Sequence, residues 1–212
     1  MARFDESLTV IGSISCTSIT SDGLNFSAIP RDNLIQETFV PFPVNLTDFR
    51  IWDAMQTNLP GTSSGDDLAL IGGTFGTASP TIRTADLKAA GATNVRARVI
   101  IPLPAEYDAA ETCQIRVRGG MVTTIADVSC TVDVEAYRVN EDGGIGSDLC
   151  ATSATTINSL TKANVDFNLT AATLSAGDRL DVRITVACND AATVTAVIAE
   201  LSRVALLCDI KG

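Results

Sequence analysis

The chain of 212 residues contains no histidine. That absence removes Ser-His-Asp and Cys-His nucleophile systems and every His-ligated metal site. Aromatic residues are scarce at 5%, with a single tryptophan and two tyrosines. Charged residues reach only 19%, and lysine is nearly missing, three against twelve arginines. The balance is acidic, net −10, which argues against a nucleic-acid surface. No run of 18 apolar residues occurs, so no membrane-spanning helix is expected. The opening MARFDESLTVIGS mixes charges of both signs and has no apolar centre, so no secretory leader is predicted. What is plentiful is threonine and serine, 40 positions together. That composition describes a sheet-rich protein with a hydroxylated surface.

From residue 94 onward, apolar residues recur with a period of two. NVRARVIIPLP places Val95, Ala97, Val99, Ile101 and Leu103 on one face and Arg96 and Arg98 on the other. CQIRVRG, SCTVDVEAYRV, NVDFNLT and RLDVRITVA alternate in the same way. TVTAVIAELSRVALLCDI is long enough for one bent strand or two. PAEYDAAE, GGMVTTIAD, NEDGGIGSD and SAGD supply turns between them. Six to eight half-buried antiparallel strands predict an all-β fold, an antiparallel β-sandwich of jelly-roll-like type. Minor short helices are expected over DFRIWDAMQTN, N-capped by Thr47 with Phe49, Trp52 and Met55 on one side, and over TADLKAAGATN.

Residues 1–45 read differently and are assigned as an extended N-terminal arm, with the sandwich domain over 46–212. The arm is apolar but aperiodic after Thr20, and Pro41 and Pro43 flank Phe42, which argues against regular ladder pairing there. Its candidate partner-binding residues are Leu8, Val10, Ile14, Ile29, Leu34, Ile35, Phe39 and Phe42.

Six cysteines stand at 16, 113, 130, 150, 188 and 208, with no C-x-x-C pair. Cys113, Cys130 and Cys208 occupy the apolar phase of their segments and are expected as free, buried thiols folded in a reducing cytoplasm. The loop carrying Asn140, Glu141, Asp142 and Asp148 lacks the calcium-loop spacing and reads as a solvated hairpin turn. Asp133 and Glu135 share a strand face but sit in solvent phase, where a perturbed catalytic carboxyl is not expected. No catalytic residue, cofactor or metal site is predicted. Arg96, Arg98, Arg116 and Arg118 fall on polar faces of strands expected to be adjacent. They either pair across strands with Asp133 and Glu135 or, with Trp52, form a partner-facing surface.

IPRDNLIQE, FPVNLTDFRIWDAM, LPGTSSGDDLALIGGTFGT, ADLKAAGATNVRARVIIPLPAEYDA and the later TTINSL, LSAGDRLDVRITV and NDAATVTAVIAEL resemble virion-associated proteins of tailed bacteriophages, of the capsid decoration (cement) or head-fibre kind. LTVIGSISCTSIT also looks like the opening repeat of phage fibre proteins, but the repeat does not recur. The resemblance implies a structural role without enzymatic activity. A trimer would bind and stabilise the shell through the arm and sandwich, with the major capsid protein and other copies of itself as partners. Nucleic acid and membrane are not expected as partners. The chain would fold in the host cytoplasm and end on the outer capsid surface. The alternative is a receptor-binding or fibre-tip module that takes host surface glycans, and only that alternative implies a glycan partner.

Overall fold

The computed structural model describes residues 38–89, 91–140, 142–191 and 195–211. Eleven strands lie in this part of the chain: β1 (Thr38–Val44), β2 (Ala69–Ile71), β3 (Thr81–Arg83), β4 (Ala92–Pro102), β5 (Cys113–Met121), β6 (Ser129–Val139), β7 (Ile145–Asp148), β8 (Thr155–Thr156), β9 (Ala163–Asn168), β10 (Arg179–Asn189) and β11 (Ala199–Ile210). One sheet runs β2-β3-β11-β5-β9, with β1 also on β11. The other runs β4-β10-β6-β7, with β8 also on β6. Every pairing between named strands is antiparallel. The chain changes sheet between β3 and β4, β4 and β5, β5 and β6, β8 and β9, β9 and β10, and β10 and β11. The result is a jelly-roll-like sandwich.

The period-two phase decides which side each strand buries. Val95, Ala97, Val99 and Ile101 of β4, with Val132 and Val134 of β6 and the apolar phase of β10 beside them, face Ile115 and Val117 of β5 in one core. The outward phase carries the arginines, carboxylates and threonines. β11 is a single strand, bent by a register shift between Leu201 and Arg203 where it leaves β3.

Three local expectations are corrected. Residues 38–44 are a strand with seven Cα partners on β11, although Pro41 and Pro43 lie within it. β1 has no neighbour on its other side among the described strands. Prolines two apart lack donors on the same side of a strand, and an open edge tolerates that loss. Phe42 and Val44 pack against the core from β1, and Phe39 is 41% exposed on the opposite phase. The segment over 47–57 is not an α-helix. A short 3₁₀ turn covers Leu46–Asp48, and its N-cap is Asn45 rather than Thr47. Beyond it Arg50 exchanges backbone hydrogen bonds with Arg98 of β4, and residues 51–57 close local turns on themselves. TADLKAAGATN also forms no helical turn among its described residues. The Leu87 N–H donates to the Val197 carbonyl, 2.8 Å, and β4 begins at Ala92.

Cys130 and Cys188 are not free thiols. They are direct partners of β6 and β10 and form a disulfide inside the core. Cys113 and Cys208 are buried thiols, Cys150 is a half-buried one, and Cys16 lies outside the described residues.

Candidate functional site

The site lies on the outward face of the β4-β10-β6 sheet. Register places the outward side chains in rows across it. Ile100, Asp181 and Tyr137 form one row, Arg98, Arg183 and Glu135 the next, and Arg96, Thr185 and Asp133 the third. Opposite charges make two ion pairs, one between neighbouring rows and one within a row. Arg98 forks onto Asp181, its Nε 2.7 Å from Oδ1 and its second guanidinium nitrogen on Oδ2. Arg183 donates from Nε to Glu135 Oε2 at 2.5 Å. Asp181 is only 6% exposed, and the fork supplies the hydrogen bonds that water does not reach there. The Asp181 carboxylate in turn holds the Arg98 pKa above its ordinary value, chiefly through the hydrogen bonds.

Residues 50–68 wrap the free edge of β4 and bring an aromatic ring to this face. Arg50 exchanges backbone hydrogen bonds with Arg98, 2.8 and 3.1 Å, and Arg96 donates to the Asp66 carbonyl at 2.7 Å. Trp52, two residues beyond Arg50, reaches over the sheet. The Arg96 guanidinium lies 5.0 Å and the Arg183 guanidinium 5.5 Å from its ring centre. The indole N–H donates to Asp66 Oδ2 at 3.0 Å, and the same oxygen accepts from Arg96 at 3.1 Å. A cavity of about 270 Å³ opens here. Trp52 and Asp53 stand on one side, Tyr137 and Ile145 on the other, and Arg98, Asp181 and Arg183 form its floor. The Tyr137 hydroxyl donates to Glu135 at 3.3 Å. Burial, then the Glu135 and Asp148 charges, hold its pKa above the ordinary value.

Chemically, the floor is a lattice of unlike charges with spare capacity. A guanidinium has five N–H donors and a bidentate pair uses two, while a carboxylate keeps lone pairs beyond those the fork occupies. The cavity thus offers fixed donors and acceptors side by side, beside an aromatic face.

A second concavity, about 330 Å³, lies along β6 where neither β7 nor β8 covers it. Asp133, Glu135, Asp148, Cys150 and Thr152 line it. The Asp133 pKa is raised, first by burial and then by Glu135 and Asp148, against the expectation of an unperturbed, solvated carboxyl. Burial likewise raises the Cys150 thiol pKa. No group of three or more Cys, Asp or Glu side chains among the described residues is arranged to hold a metal ion. In the 140–144 turn, Gly144 N–H donates to Asp142 Oδ1 at 3.0 Å and Asn140 N–H to the Gly144 carbonyl at 3.0 Å. Glu141 lies outside the described residues.

The four arginines singled out in the sequence do not share a face. β4 and β5 belong to different sheets, so Arg96 and Arg98 stand with Trp52 while Arg116 and Arg118 stand on the opposite outer surface. There Arg116 forks onto Asp166 at 2.6 and 2.7 Å, and Arg118 reaches Asn164 at 3.5 Å. Of the arm residues, Leu8, Val10, Ile14, Ile29, Leu34 and Ile35 lie outside the described residues, and Phe39 and Phe42 belong to β1. Sequence reasoning missed Asp181, Arg183 and Tyr137 as members of the site.

No family model matches the chain, and no curated protein matches it. Solved structures do. A xylan-binding module of family CBM15 aligns at a TM-score of 0.43 and 15% identity, over 82% of this chain and 100% of that one. The CBM22-1 xylan-binding domain of Paenibacillus barcinonensis Xyn10C aligns at 0.41 and 9%, over 83% and 97%. The enzymatically active domain of bacteriophage CBA120 tailspike protein 4 aligns at 0.37 and 9%, over 78% of this chain and 20% of that one.

Proposed function

We propose that this chain is a non-catalytic binding module whose β4-β10-β6 face takes a carbohydrate, in the receptor-binding or fibre-tip role of a phage particle. The observation that carries this reading is the cavity between Trp52 and Tyr137, floored by the Arg98–Asp181 and Arg183 pairings. A sugar hydroxyl donates and accepts at once, so a ring of hydroxyls matches a floor of alternating donors and acceptors. The apolar face of the same sugar suits an aromatic wall. The face carries charges of both signs locked to one another, which favours a polyhydroxylated ligand over an anion that would compete for the arginines.

This takes the receptor-side alternative ahead of shell decoration. Shell decoration drew on the arm, and the two candidate arm residues that are described, Phe39 and Phe42, belong to β1 of the sandwich itself. The test is a glycan array with the full chain, followed by titration of the best binder. Trp52 is the only tryptophan, so its fluorescence reports directly on the cavity. Saturable binding with a change in Trp52 emission supports the reading. An array without specific binding, or binding that leaves Trp52 emission unchanged, overturns it.

A further inference from the structure

We infer that Cys113 and Cys208 form a second core disulfide when the chain folds under oxidising conditions. The two residues are direct partners of β5 and β11, and both side chains face the core, 1% and 0% exposed. The backbone around them repeats the arrangement of the bonded pair in the other sheet. The Cys130 carbonyl accepts from Ile157 at 2.8 Å, on the side away from β10. The Cys113 carbonyl accepts from Leu169 at 3.0 Å, on the side away from β11. The neighbouring pair confirms the phase, because Asp209 N–H donates to the Thr112 carbonyl at 3.1 Å. Both cysteine pairs therefore occupy the positions of an antiparallel ladder that exchange no hydrogen bonds. At such positions the Cα atoms approach to about 4.5 Å, within the range a disulfide spans. For Cys130 and Cys188 that separation is 4.1 Å.

The chemistry is thiol–disulfide exchange with a small-molecule disulfide such as oxidised glutathione. One cysteine thiolate attacks it, forming a mixed disulfide and releasing one glutathione thiolate. The second cysteine thiolate attacks the mixed disulfide and releases the other. The protein loses two protons and two electrons, and both appear in two molecules of reduced glutathione. Burial pushes the Cys113 pKa up to about 12 and that of Cys208 to about 11. Thiolate is thus scarce in the finished fold, and the exchange belongs to the stage before β11 has docked on β5. Once formed, the bond ties the last strand of the sandwich to β5. Val40 of β1 lies on the other side of Cys208, so the same row also secures the edge strand.

The test is a disulfide map of the full chain folded in a glutathione redox buffer. The protein is denatured with an alkylating reagent, digested without reduction and analysed by mass spectrometry. The expected result is a Cys113–Cys208 linked peptide beside a Cys130–Cys188 linked one, with two of the six cysteines alkylated. Recovery of Cys113 or Cys208 as the alkylated residue overturns the inference, whatever the state of Cys130 and Cys188. A second measurement uses the Cys130→Ala/Cys188→Ala variant folded in the same buffer. Its melting temperature falls on adding a phosphine reductant if the second bond is present. An unchanged melting temperature in the folded variant overturns the inference.

Discussion

Replacing Trp52 by alanine tests the proposed site where it is most exposed to failure. The ring makes two cation–π contacts, at 5.0 Å to Arg96 and 5.5 Å to Arg183, each to a partly solvated guanidinium. Such contacts contribute about 0.5–1 kcal/mol apiece. The indole N–H bond to Asp66 is solvent-accessible and adds about 1 kcal/mol. Together about 2–3 kcal/mol of side-chain interaction holds the 50–58 segment to the sheet. The backbone bonds between Arg50 and Arg98 do not involve the ring, so the segment stays attached and the loss is local. For a ligand, truncating a central aromatic anchor costs about 2 kcal/mol, a roughly 30-fold weaker Kd. Calorimetric titration with the best binder from the array measures it, since the variant has no tryptophan to report. Circular dichroism and the urea midpoint establish that the variant is folded. Trp52→Phe keeps an aromatic face but loses the Asp66 bond, and falls between the two proteins. A folded Trp52→Ala variant with unchanged Kd refutes the site. Global unfolding of that variant refutes the argument that the edge segment is held by backbone.

Asp181→Asn leaves Arg98 with half a fork over a nearly dry position and lowers stability by about 1–2 kcal/mol, read as a lower urea midpoint at unchanged slope; the Arg98→Met/Asp181→Leu pair recovers part of the loss. Glu200 is 2% exposed and holds Arg83, Lys162 and Thr81 on the opposite outer face, so Glu200→Ala lowers stability by about 2–3 kcal/mol in thermal unfolding without changing ligand affinity. Asp133 has a folded-state pKa above the ordinary 3.8, so the folded chain binds its proton more tightly than the unfolded chain does. Its contribution to stability therefore falls as pH rises through the window above 3.8. Asp133→Asn relieves that penalty and raises stability at pH 7, with the gain vanishing below pH 4 in denaturation series across pH.

Much of the fold was legible because alternation is a direct consequence of strand geometry. In β4, β5, β6, β9 and β10, each segment buries the phase its apolar residues occupy, whereas β11 buries both phases over Val204–Cys208. Where the reading failed, a local rule was applied without its tertiary condition. Proline is excluded from a strand paired on both sides, but among the described strands β1 is paired with β11 alone. Phe49, Trp52 and Met55 have the spacing of one helical face, yet Phe49 goes into the core at 1% exposure while Trp52 lies on the outside of a sheet. Of the backbone donors a helix would have satisfied internally, that of Arg50 goes to β4 and those of Ile51, Ala54 and Thr57 go to local turns. An unpaired sheet edge competes for a short segment on equal terms with its own helix, and only the assembled sheet shows that edge.

The site was less legible, because phase tells which face a side chain occupies but not what stands beside it. Arg98 was visible as an outward residue, yet its partner Asp181 is 83 positions away, and Trp52 gains its two cations from β4 and β10. Register was the missing quantity, and the cysteines carried it. In an antiparallel pair, one directly opposed couple determines all the others by equal and opposite steps. Taking Cys130 opposite Cys188 and counting five residues along each strand puts Glu135 opposite Arg183. Two more put Tyr137 opposite Asp181, which are the couples observed. Reading Cys130 as a free thiol therefore did more than misstate a covalent bond. It discarded the one mark in the sequence from which the floor of the cavity could have been counted out. The same counting from Cys113 opposite Cys208 yields Ile115 opposite Leu206 and Val117 opposite Val204, the ladder of the other sheet. Each sheet thus carries a cysteine couple at a core-facing position of its central pair of long strands; one couple sets the β6–β10 register and the other the β5–β11 register as far as the shift at Arg203.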